Sequence, residues 1–478
     1  MRLHILHTND VHSAFDGFAR IAYKFKMFRE KWIARGESVF SFDLGDHADL
    51  SNPLSLATNG RINADILGSL PYDGWVLGNN ETVTIDQHVW TDLTQRIHAP
   101  LYCSNLHFPG SEKNLTGGFI YQLGKLKIGV FGVTVRYEKL FDNLGIVADD
   151  PVSVAWQVAQ DMRKQGAQLV FLLSHLGLHV DEKLAQDGLP VNLIVGSHTH
   201  QYLEHGLHVG KTLIVQAGKH AHALGHVVLD IDEDQQLQSA VAELIIVNDD
   251  DVMDSGVMEI IDRAQNQVAV WLDAPIATVT PSLTHQQHGE SEIVNLLCDQ
   301  MRLEFQADVA LINGGMITGE LPTGEILRRD LLSVCATPMR VVTMEAKGDL
   351  LWRLISQGLR PELAYKRGYG FGFRGSTIGQ IHVSGATVFV ENDAQNPHLE
   401  HVVEIHVHGE LLQLDHTYTI ATGEFIALSP DIAVPRSTCF QYQETMLRDL
   451  LRRGLGNSEL VREARKHRYQ SRMNKAQR

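Results

Sequence analysis

The chain has few cysteines and no long apolar run. Its four cysteines, at positions 103, 298, 335 and 439, lack the close spacing of a metal-binding or redox pair. We therefore expect free, buried thiols in a reducing cytosol rather than a disulfide framework. No segment is apolar enough to span a bilayer, and Met1–His7 is not followed by the apolar core of a signal peptide. These absences predict a cytoplasmic protein with no membrane partner.

Positive charge is also in deficit. The chain has 41 Lys and Arg against 57 Asp and Glu, which gives a net charge of -16. A body this acidic repels a polyanion, so a general nucleic-acid binder or nuclease is disfavoured. A small anionic substrate remains compatible with the charge, because a bound cation reverses the local potential. The composition predicts no particular oligomeric state.

The length predicts more than one domain. A chain of 478 residues exceeds the ~250–300 residues at which single cores stop growing. An acidic break at Asn248–Asp251 precedes a long helical pattern, so we predict an N-terminal domain over 1–247 and a linker helix over 248–272. A C-terminal α/β domain is predicted over 273–460. The basic segment 461–478 has few apolar residues, and we expect it to be disordered.

One pattern recurs through the first 200 residues. Short apolar runs, typical of buried strands, end abruptly in Asp, His or Asn, and helical patterns separate them. Strands that alternate with helices indicate an α/β domain, in which ligands gather beyond the carboxyl ends of the strands. The five polar clusters that end these runs are Asn9–His12, Gly45-Asp46, Gly78-Asn79, Ser174-His175 and Gly196–His200.

These clusters contain a set of metal-binding side chains. A lone histidine at a strand end is more often structural than a ligand, but five clusters at five successive strand ends favour a shared site. Mixed carboxylate, amide and imidazole donors suit Zn, Mn, Fe or Co better than Ca or Mg. The candidate ligands are Asp10, His12, Asp46, Asn79, His175, His198 and His200.

The same clusters resemble the five motifs of the calcineurin-like metallophosphoesterases. The segment Leu6–Ser13 resembles the opening of the 5′-nucleotidase/UDP-sugar hydrolase/2′,3′-cyclic phosphodiesterase family. The resemblance implies an N-terminal β-sandwich flanked by helices, a linking helix and a C-terminal α/β substrate domain. It also implies two divalent cations bridged by Asp46, and attack on phosphorus by a metal-bound hydroxide. By this resemblance, one cation would take Asp10, His12, Asp46 and His200, and the other Asp46, Asn79, His175 and His198.

The third motif departs from the family pattern. The family has a histidine after the asparagine and an aspartate shortly beyond it, whereas this chain has Asn80 and Val83. We therefore predict a cytosolic branch that lacks the His-Asp pair. Asn80 could donate a hydrogen bond to the phosphoryl group but could not supply a proton. Our hypothesis is that His47 replaces the missing histidine, oriented by Asp49 or Glu81; the alternative is that His47 packs locally.

The second half offers candidate substrate residues. The resemblance assigns substrate contacts to Asn313-Gly314-Gly315, although Thr318 stands where the family has an arginine. Arg340 and Arg374 could supply the positive charge instead, with an exposed structural role as the alternative for each. Phe425 resembles an aromatic residue of the family that stacks on a nucleobase, and Asp431 resembles the acidic residue that follows it in the same motif.

Together these features predict an enzyme. We expect it to hydrolyse a phosphate ester or pyrophosphate bond in a nucleotide or related small phosphorylated molecule. The alternative is a metal-containing protein that binds or senses nucleotides and retains weak or vestigial phosphodiesterase activity.

Overall fold

The structure is a computed structural model and describes residues 1–107, 115–370, 372–392, 400–432 and 434–472. The chain forms two compact units, Met1–Ala269 and Val270–Arg478. Strands and helices occur in both units, so the predicted α/β class is confirmed.

Two mixed sheets lie at the centre of the first unit. The described strands of this unit are β1 (Arg2–Thr8), β2 (Ser38–Asp43), β3 (Gly74–Trp75), β4 (Leu101–Tyr102), β5 (Leu106–His107), β6 (Leu115–Thr116), β7 (Phe119–Leu123), β8 (Leu126–Thr134), β9 (Val147–Ala148), β10 (Leu169–His175), β11 (Leu193–Val195), β12 (Leu207–Val209), β13 (Thr212–Val215), β14 (Ala223–Ile231) and β15 (Leu237–Ile246). One sheet has the order β15-β14-β1-β2-β3-β4-β6, and the other has the order β12-β13-β11-β10-β8-β7.

Helices cover the outer faces of both sheets. They are α1 (Phe15–Ile33), α2 (Pro53–Thr58), α3 (Arg61–Gly68), α4 (Asn79–Thr84), α5 (Gln87–Ile97), α6 (Glu138–Leu144), α7 (Pro151–Lys164), α8 (Leu178–Gln186) and α9 (Ser255–Leu272). Successive side chains of β1 point to opposite faces of the sheet, which explains the layers. Leu3 and Ile5 enter the core between the sheets, whereas Leu6 packs with α1. The predicted β-sandwich flanked by helices is confirmed.

The strand order brings the polar clusters to one edge of each sheet. In the first sheet β1, β2 and β3 are parallel neighbours, so the loops after them leave the sheet in the same direction. In the second sheet β8, β10, β11 and β13 are parallel neighbours. Because the carboxyl ends of parallel strands share an edge, each sheet presents its polar loops as one group.

The second unit has its own sheets and core. Its described strands are β16 (Pro275–Val279), β17 (Val309–Asn313), β18 (Gly324–Leu327), β19 (Arg340–Lys347), β20 (Ile381–Ser384), β21 (Ala386–Asn392), β22 (Glu400–Val407), β23 (Glu410–Leu411), β24 (Thr417–Gly423), β25 (Gln441–Met446) and β26 (Tyr469–Ser471). Its described helices are α10 (Glu292–Glu304), α11 (Arg328–Val334), α12 (Gly348–Gly358), α13 (Pro361–Ala364), α14 (Glu424–Leu428), α15 (Leu447–Leu455) and α16 (Ser458–Glu463). The main sheet has the order β20-β17-β24-β19-β25, with β17 and β24 parallel and β19 antiparallel to β24.

Most of helix α9 belongs to the first unit. Its buried residues Val257, Ile261 and Ala264 join the apolar cluster that also contains Phe18 of α1. The first unit therefore includes most of the predicted linker helix over 248–272, and the second unit begins at Val270, close to the predicted start of the C-terminal domain at 273. The apolar face of the helix accounts for the difference, because burying it on the sandwich stabilises the helix.

The basic segment after residue 460 is ordered as far as it is described. Strand β26 pairs in parallel with β21, and Ala464 is fully buried. Arg468 donates to Asp299 at 2.7 Å, and the Tyr469 hydroxyl donates to the Ile381 carbonyl at 2.5 Å. The prediction of disorder is therefore wrong over 461–472, because buried partners on α10 and β20 hold side chains that look solvated in sequence; residues 473–478 lie outside the described residues.

The cysteines are unpaired, but one is not buried. Cys103, Cys298 and Cys335 lie in the core, and burial raises the pKa of each thiol. Cys439 is exposed, which contradicts the expectation that all four are buried. None of the helices in the described ranges has both the length and the apolar character needed to cross a membrane.

His382 is expected to make stability depend on pH. Its Nε2 accepts from the Ser291 N–H at 2.8 Å and its Nδ1 donates to the Gln380 carbonyl at 3.1 Å, so the ring is held neutral. Burial lowers the pKa of His382 from 6.5 to about 4. The unfolded chain takes up this proton first, so the free energy of unfolding should fall by up to about 3 kcal/mol as pH drops from about 6.5 to 4.

Urea unfolding between pH 7.5 and 4 measures this effect. His382→Gln should show a shallower loss of stability towards acid than the parent protein, whereas the exposed control His205→Gln should follow the parent. Equal slopes for the His382 variant and the parent would contradict the prediction.

Candidate metal centre

The loops at the carboxyl edges of the sandwich strands form two groups of potential ligands. The first is Asp10, His12 and His200, and the second is Asp46, His175 and His198. One donor atom from each member lies within 4.8 Å of the others in its group. The Asn79 side-chain oxygen joins the second group, at 2.7 Å from His198 Nδ1 and 3.2 Å from His175 Nε2. The structure thus brings all seven predicted ligands together.

Asp46 lies between the two groups. Its Oδ2 is 3.8 Å from His12 Nε2 in the first group, and its Oδ1 is 3.6 Å from His175 Nε2 in the second. One carboxylate therefore presents a different oxygen to each group. This is the arrangement that a bridging ligand requires.

The backbone of five ligands is left-handed. The φ angles are 50° at Asp10, 48° at His12, 50° at Asp46, 74° at His198 and 60° at His200. Asp and His enter this region more readily than most residues, but it still costs on the order of 1 kcal/mol each, and such strain collects at functional sites. The loops after β1 and β2 support one another through Asp10 N–H to Gly45 O at 3.0 Å and His12 N–H to Asp46 O at 2.8 Å.

Glu81 ties the second and third ligand loops together. Its Oε2 accepts from the backbone N–H groups of Asp46 and Gly78, both at 2.9 Å. Its Oε1 accepts from the Ala48 N–H at 2.8 Å. The buried carboxylate is therefore used to fix the backbone, and it does not orient His47.

Hydrogen bonds also determine which ring nitrogen of a histidine faces the site. His175 Nδ1 donates to the Leu44 carbonyl at 2.6 Å, which leaves the Nε2 lone pair towards Asp46. His12 Nδ1 lies 3.4 Å from Asp49 Oδ2, and Ser197 Oγ donates to Asp10 Oδ2 at 2.8 Å. Such supporting contacts orient metal ligands and fix their tautomers.

The electrostatics of the site suit bound cations. Burial raises the pKa values of Asp10 and Asp46, because desolvation disfavours their charge. Burial likewise lowers the pKa of His200 to about 3, which keeps the ring neutral and able to ligate. Within the described ranges, no lysine or arginine pairs with either carboxylate. Buried carboxylates need a counter-charge, and divalent cations supply it.

His47 does not lie at the site opening. The residue is 2% exposed, its ring packs edge-on against Phe18 at 4.8 Å, and Asn63 contacts its Nδ1 at 3.4 Å. Burial lowers its pKa to about 3. The hypothesis that His47 replaces the missing histidine is therefore wrong. His47 thus packs in the core, as the alternative prediction has it, although it directly follows the ligand Asp46.

Asn80 lies beside the first ligand group with its amide already engaged. Its Nδ2 donates to the Ala48 carbonyl at 2.9 Å and lies 3.1 Å from His12 Nδ1. Its Oδ1 lies 3.3 Å from Asn79 Nδ2. In this arrangement the amide supports its neighbours, and a catalytic role for Asn80 stays a prediction.

Four of the predicted substrate residues of the second unit lie at one edge of its main sheet. Asn313 ends β17, and Gly314 and Gly315 follow, while Arg340 begins the antiparallel β19. The N–H groups of Gly314 and Gly315 donate to the Gln380 and Ile378 carbonyls, at 2.8 and 2.9 Å. These amides therefore form the turn and are not free to bind a phosphate.

The two arginines differ in their surroundings. Arg340 is 9% exposed, and its Nε and Nη1 have no hydrogen-bond partner among the described residues, although its backbone N–H donates to Glu424 at 3.0 Å. Arg374 donates from Nη1 to the Gly372 carbonyl at 3.0 Å. The alternative prediction, an exposed arginine with a structural role, therefore does not fit Arg340. Its side chain retains N–H donors that could bind an anion.

The aromatic prediction is wrong, and the acidic residue has another partner. Phe425 is fully buried, with its ring 4.9 Å from that of Phe373, so it belongs to the core and cannot stack on a substrate there. Asp431 pairs with Lys366 at 2.5 Å beside a cavity of about 750 Å³. A substrate contact by Asp431 stays a prediction.

A sixth polar cluster was missed in the sequence. Strand β13 is followed by Gln216–His220, which repeats the pattern of an apolar run that ends in polar residues. Because β13 is parallel to β11, this segment reaches the edge that carries His198 and His200. Its Lys219 and His220 are exposed.

Comparisons with known proteins agree with this geometry. Residues 3–202 match the family model of the calcineurin-like phosphoesterases, and residues 272–433 match that of the 5′-nucleotidase C-terminal domain. The uncharacterized metallophosphoesterase YunD of Bacillus subtilis (strain 168) is 28% identical over 94% of this chain and 98% of its own. The snake venom 5′-nucleotidase of Naja atra is 23% identical over 90% of both chains.

The fold has a match among solved structures as well. The crystal structure of a 5′-nucleotidase precursor from Thermus thermophilus aligns with 99% of this chain and 100% of its own, with a TM-score of 0.61 and 19% identity. The chain is therefore a metallophosphoesterase, a 5′-nucleotidase-like hydrolase, in which a domain that matches the calcineurin-like phosphoesterases is followed by one that matches the 5′-nucleotidase C-terminal domain.

Proposed function

We propose that this enzyme hydrolyses a phosphate ester or pyrophosphate bond of a nucleotide or related small phosphorylated molecule. The observation that carries the proposal is the position of Asp46, which presents one oxygen to each of two ligand groups. A pair of divalent cations, Mn, Zn, Fe or Co, suits this mixed set of donors. When bound, the two cations supply positive charge that stabilises the transition state and activates a water molecule.

Side chains and backbone groups of the protein keep the candidate ligands in position. Asp10 and Asp46 carry the negative charge, and the Leu44 carbonyl and Asp49 keep His175 and His12 oriented with Nε2 towards the centre. Glu81 fixes the backbone that carries Asp46 and Asn79. Such preorganisation lets the site stabilise developing charge without rearranging during the reaction.

The nature of residue 80 favours substrates with good leaving groups. An asparagine amide has no proton to give to a departing alkoxide, and general-acid assistance is typically worth about 10²–10⁴-fold in rate. Phosphodiesters and pyrophosphates release better leaving groups than alkyl monoesters and need less protonation. The presence of a 5′-nucleotidase C-terminal domain supports a nucleotide as the substrate.

A substrate panel tests the proposal. Protein loaded in turn with Mn, Zn, Fe or Co should hydrolyse bis-p-nitrophenyl phosphate and at least one nucleotide, with lower activity towards alkyl monoesters. Release of phosphate or p-nitrophenol is measured alongside the metal content of each sample. A metal-loaded protein that binds nucleotides tightly but turns over neither esters nor pyrophosphates would support the sensing alternative instead.

The cytoplasmic location stays a prediction and belongs to the same proposal. An enzyme that acts on nucleotides inside the cell needs narrow specificity or a low rate, because unrestricted hydrolysis would drain a useful pool. Fractionation of cells that express the full chain, followed by detection in the soluble, membrane and external fractions, tests the location.

A further inference from the structure

In the family that this chain resembles, a histidine at the position of Asn80 contacts the phosphoryl group of the substrate. Among the described residues next to Asn80, we find no side chain that could take its place. Asn80 uses its amide on Ala48, His47 is in the core, and Glu81 accepts only from backbone N–H groups. Another donor at the edge of the metal centre would be needed to contact the anionic oxygens of a substrate.

The segment after β13 provides two such donors. The His220 ring lies edge-on to the His12 ring, with centroids 5.7 Å apart, and its side chain is exposed. Lys219 is also exposed and has no ion-pair partner in the part of the chain that the structure describes. The ring contact with His12 places His220 beside the first ligand group, and Lys219 directly precedes it in the chain.

The backbone of this segment is fixed to the ligand loops. The His220 N–H donates to the Asp10 carbonyl at 2.9 Å, and the Gly218 carbonyl accepts from Asn9 at 2.8 Å. His220 and Ala221 have φ angles of 57° and 56°, a conformation that non-glycine residues keep only when their surroundings impose it. The backbone that carries the two residues is therefore fixed beside the loop that carries Asp10.

We propose that Lys219 and His220 contact the phosphoryl oxygens of the substrate beside the first ligand group. The inference rests on the proposed function, since it assigns substrate contacts at the same site. The ligand class is an anionic phosphoryl group, which the two donors attract locally in a chain of net charge -16. The role requires hydrogen-bond donation and a positive charge, and it does not require proton transfer.

Binding of inorganic phosphate tests the assignment. Calorimetric titration of phosphate into manganese-loaded protein should show about 10- to 100-fold weaker binding for Lys219→Gln and for His220→Ala, as expected for loss of a hydrogen bond to a charged group. His220→Gln keeps an N–H donor and should lose less. The matched controls Lys211→Gln, at the opposite end of β13, and His205→Gln should bind phosphate like the parent.

Metal analysis and turnover separate the possible outcomes. The variants should keep the metal content and melting temperature of the parent, while KM for a phosphodiester rises by a factor similar to that for phosphate binding. Unchanged phosphate binding in both variants, or loss of metal from His220→Ala, overturns the assignment. Weaker phosphate binding in variants of a parent that hydrolyses no substrate would support the assignment while the proposed function fails.

Discussion

Replacing Asp46 with asparagine is expected to abolish hydrolysis. The carboxylate faces both ligand groups, so Asp46→Asn removes the negative charge that they share and presents an NH₂ group, which cannot ligate a cation, to one of them. The loss of a single electrostatic contact to a transition state costs about 10²–10³-fold. Because this change weakens the hold on two cations at once, we expect a loss above that range. Initial rates with bis-p-nitrophenyl phosphate, together with bound metal per chain, measure the effect.

The control for this experiment is Asp73→Asn, which changes the same type of group away from the site. Asp73 accepts from the Ser41 N–H at 2.8 Å and from its hydroxyl at 3.0 Å, in the loop before β3. This variant should keep its metal and most of its activity. If Asp46→Asn retained more than a tenth of the parent rate at full metal content, Asp46 would not act as the bridging ligand.

Glu81 is expected to show the largest effect on stability. Glu81→Ala leaves three buried N–H groups without an acceptor, those of Asp46, Gly78 and Ala48. Each such group costs about 1–3 kcal/mol, so for three groups we expect a loss of about 3–9 kcal/mol in the free energy of unfolding. Metal affinity should fall as well, because the same backbone positions Asp46 and Asn79.

Glu81→Gln makes the test more specific. A glutamine can keep its oxygen towards Asp46 and Gly78, but its NH₂ group then faces the Ala48 N–H, where two donors meet. The expected loss is about 1–3 kcal/mol, between those of the parent and the alanine variant. Urea unfolding measures these values, with the exposed Glu204→Ala as a control that should change little. Equal stability of the glutamine and alanine variants would contradict this account.

The sequence predicted the positions of the metal ligands because that information is local. Asp10, Asp46 and His175 each follow a run of apolar residues, and parallel strands bring such positions to one edge. Helix α1 was likewise predictable from the three- and four-residue spacing of Phe18, Ile21 and Phe25. Neither prediction needed knowledge of distant partners.

The surroundings of those ligands depend on contacts between distant segments. His47 follows Asp46 directly, yet its ring packs in the core. Phe425 lies in the first turn of α14, and only the packing of that turn with residues of β17 and β19 decides that its ring is buried. The basic segment near Arg468 is ordered by Asp299, more than 160 residues earlier in the chain. A linear pattern contains none of these pairings.

The left-handed backbone conformation of five candidate ligands has a consequence for how this chain can evolve. At each of them glycine would relieve backbone strain, on the order of 1 kcal/mol, in a protein that bound no metal. Loss of selection for cation binding would therefore make these substitutions favourable, and they would be among the first to accumulate. Asp and His at all five positions therefore lower the stability of the backbone, and the interactions of their side chains have to offset that loss.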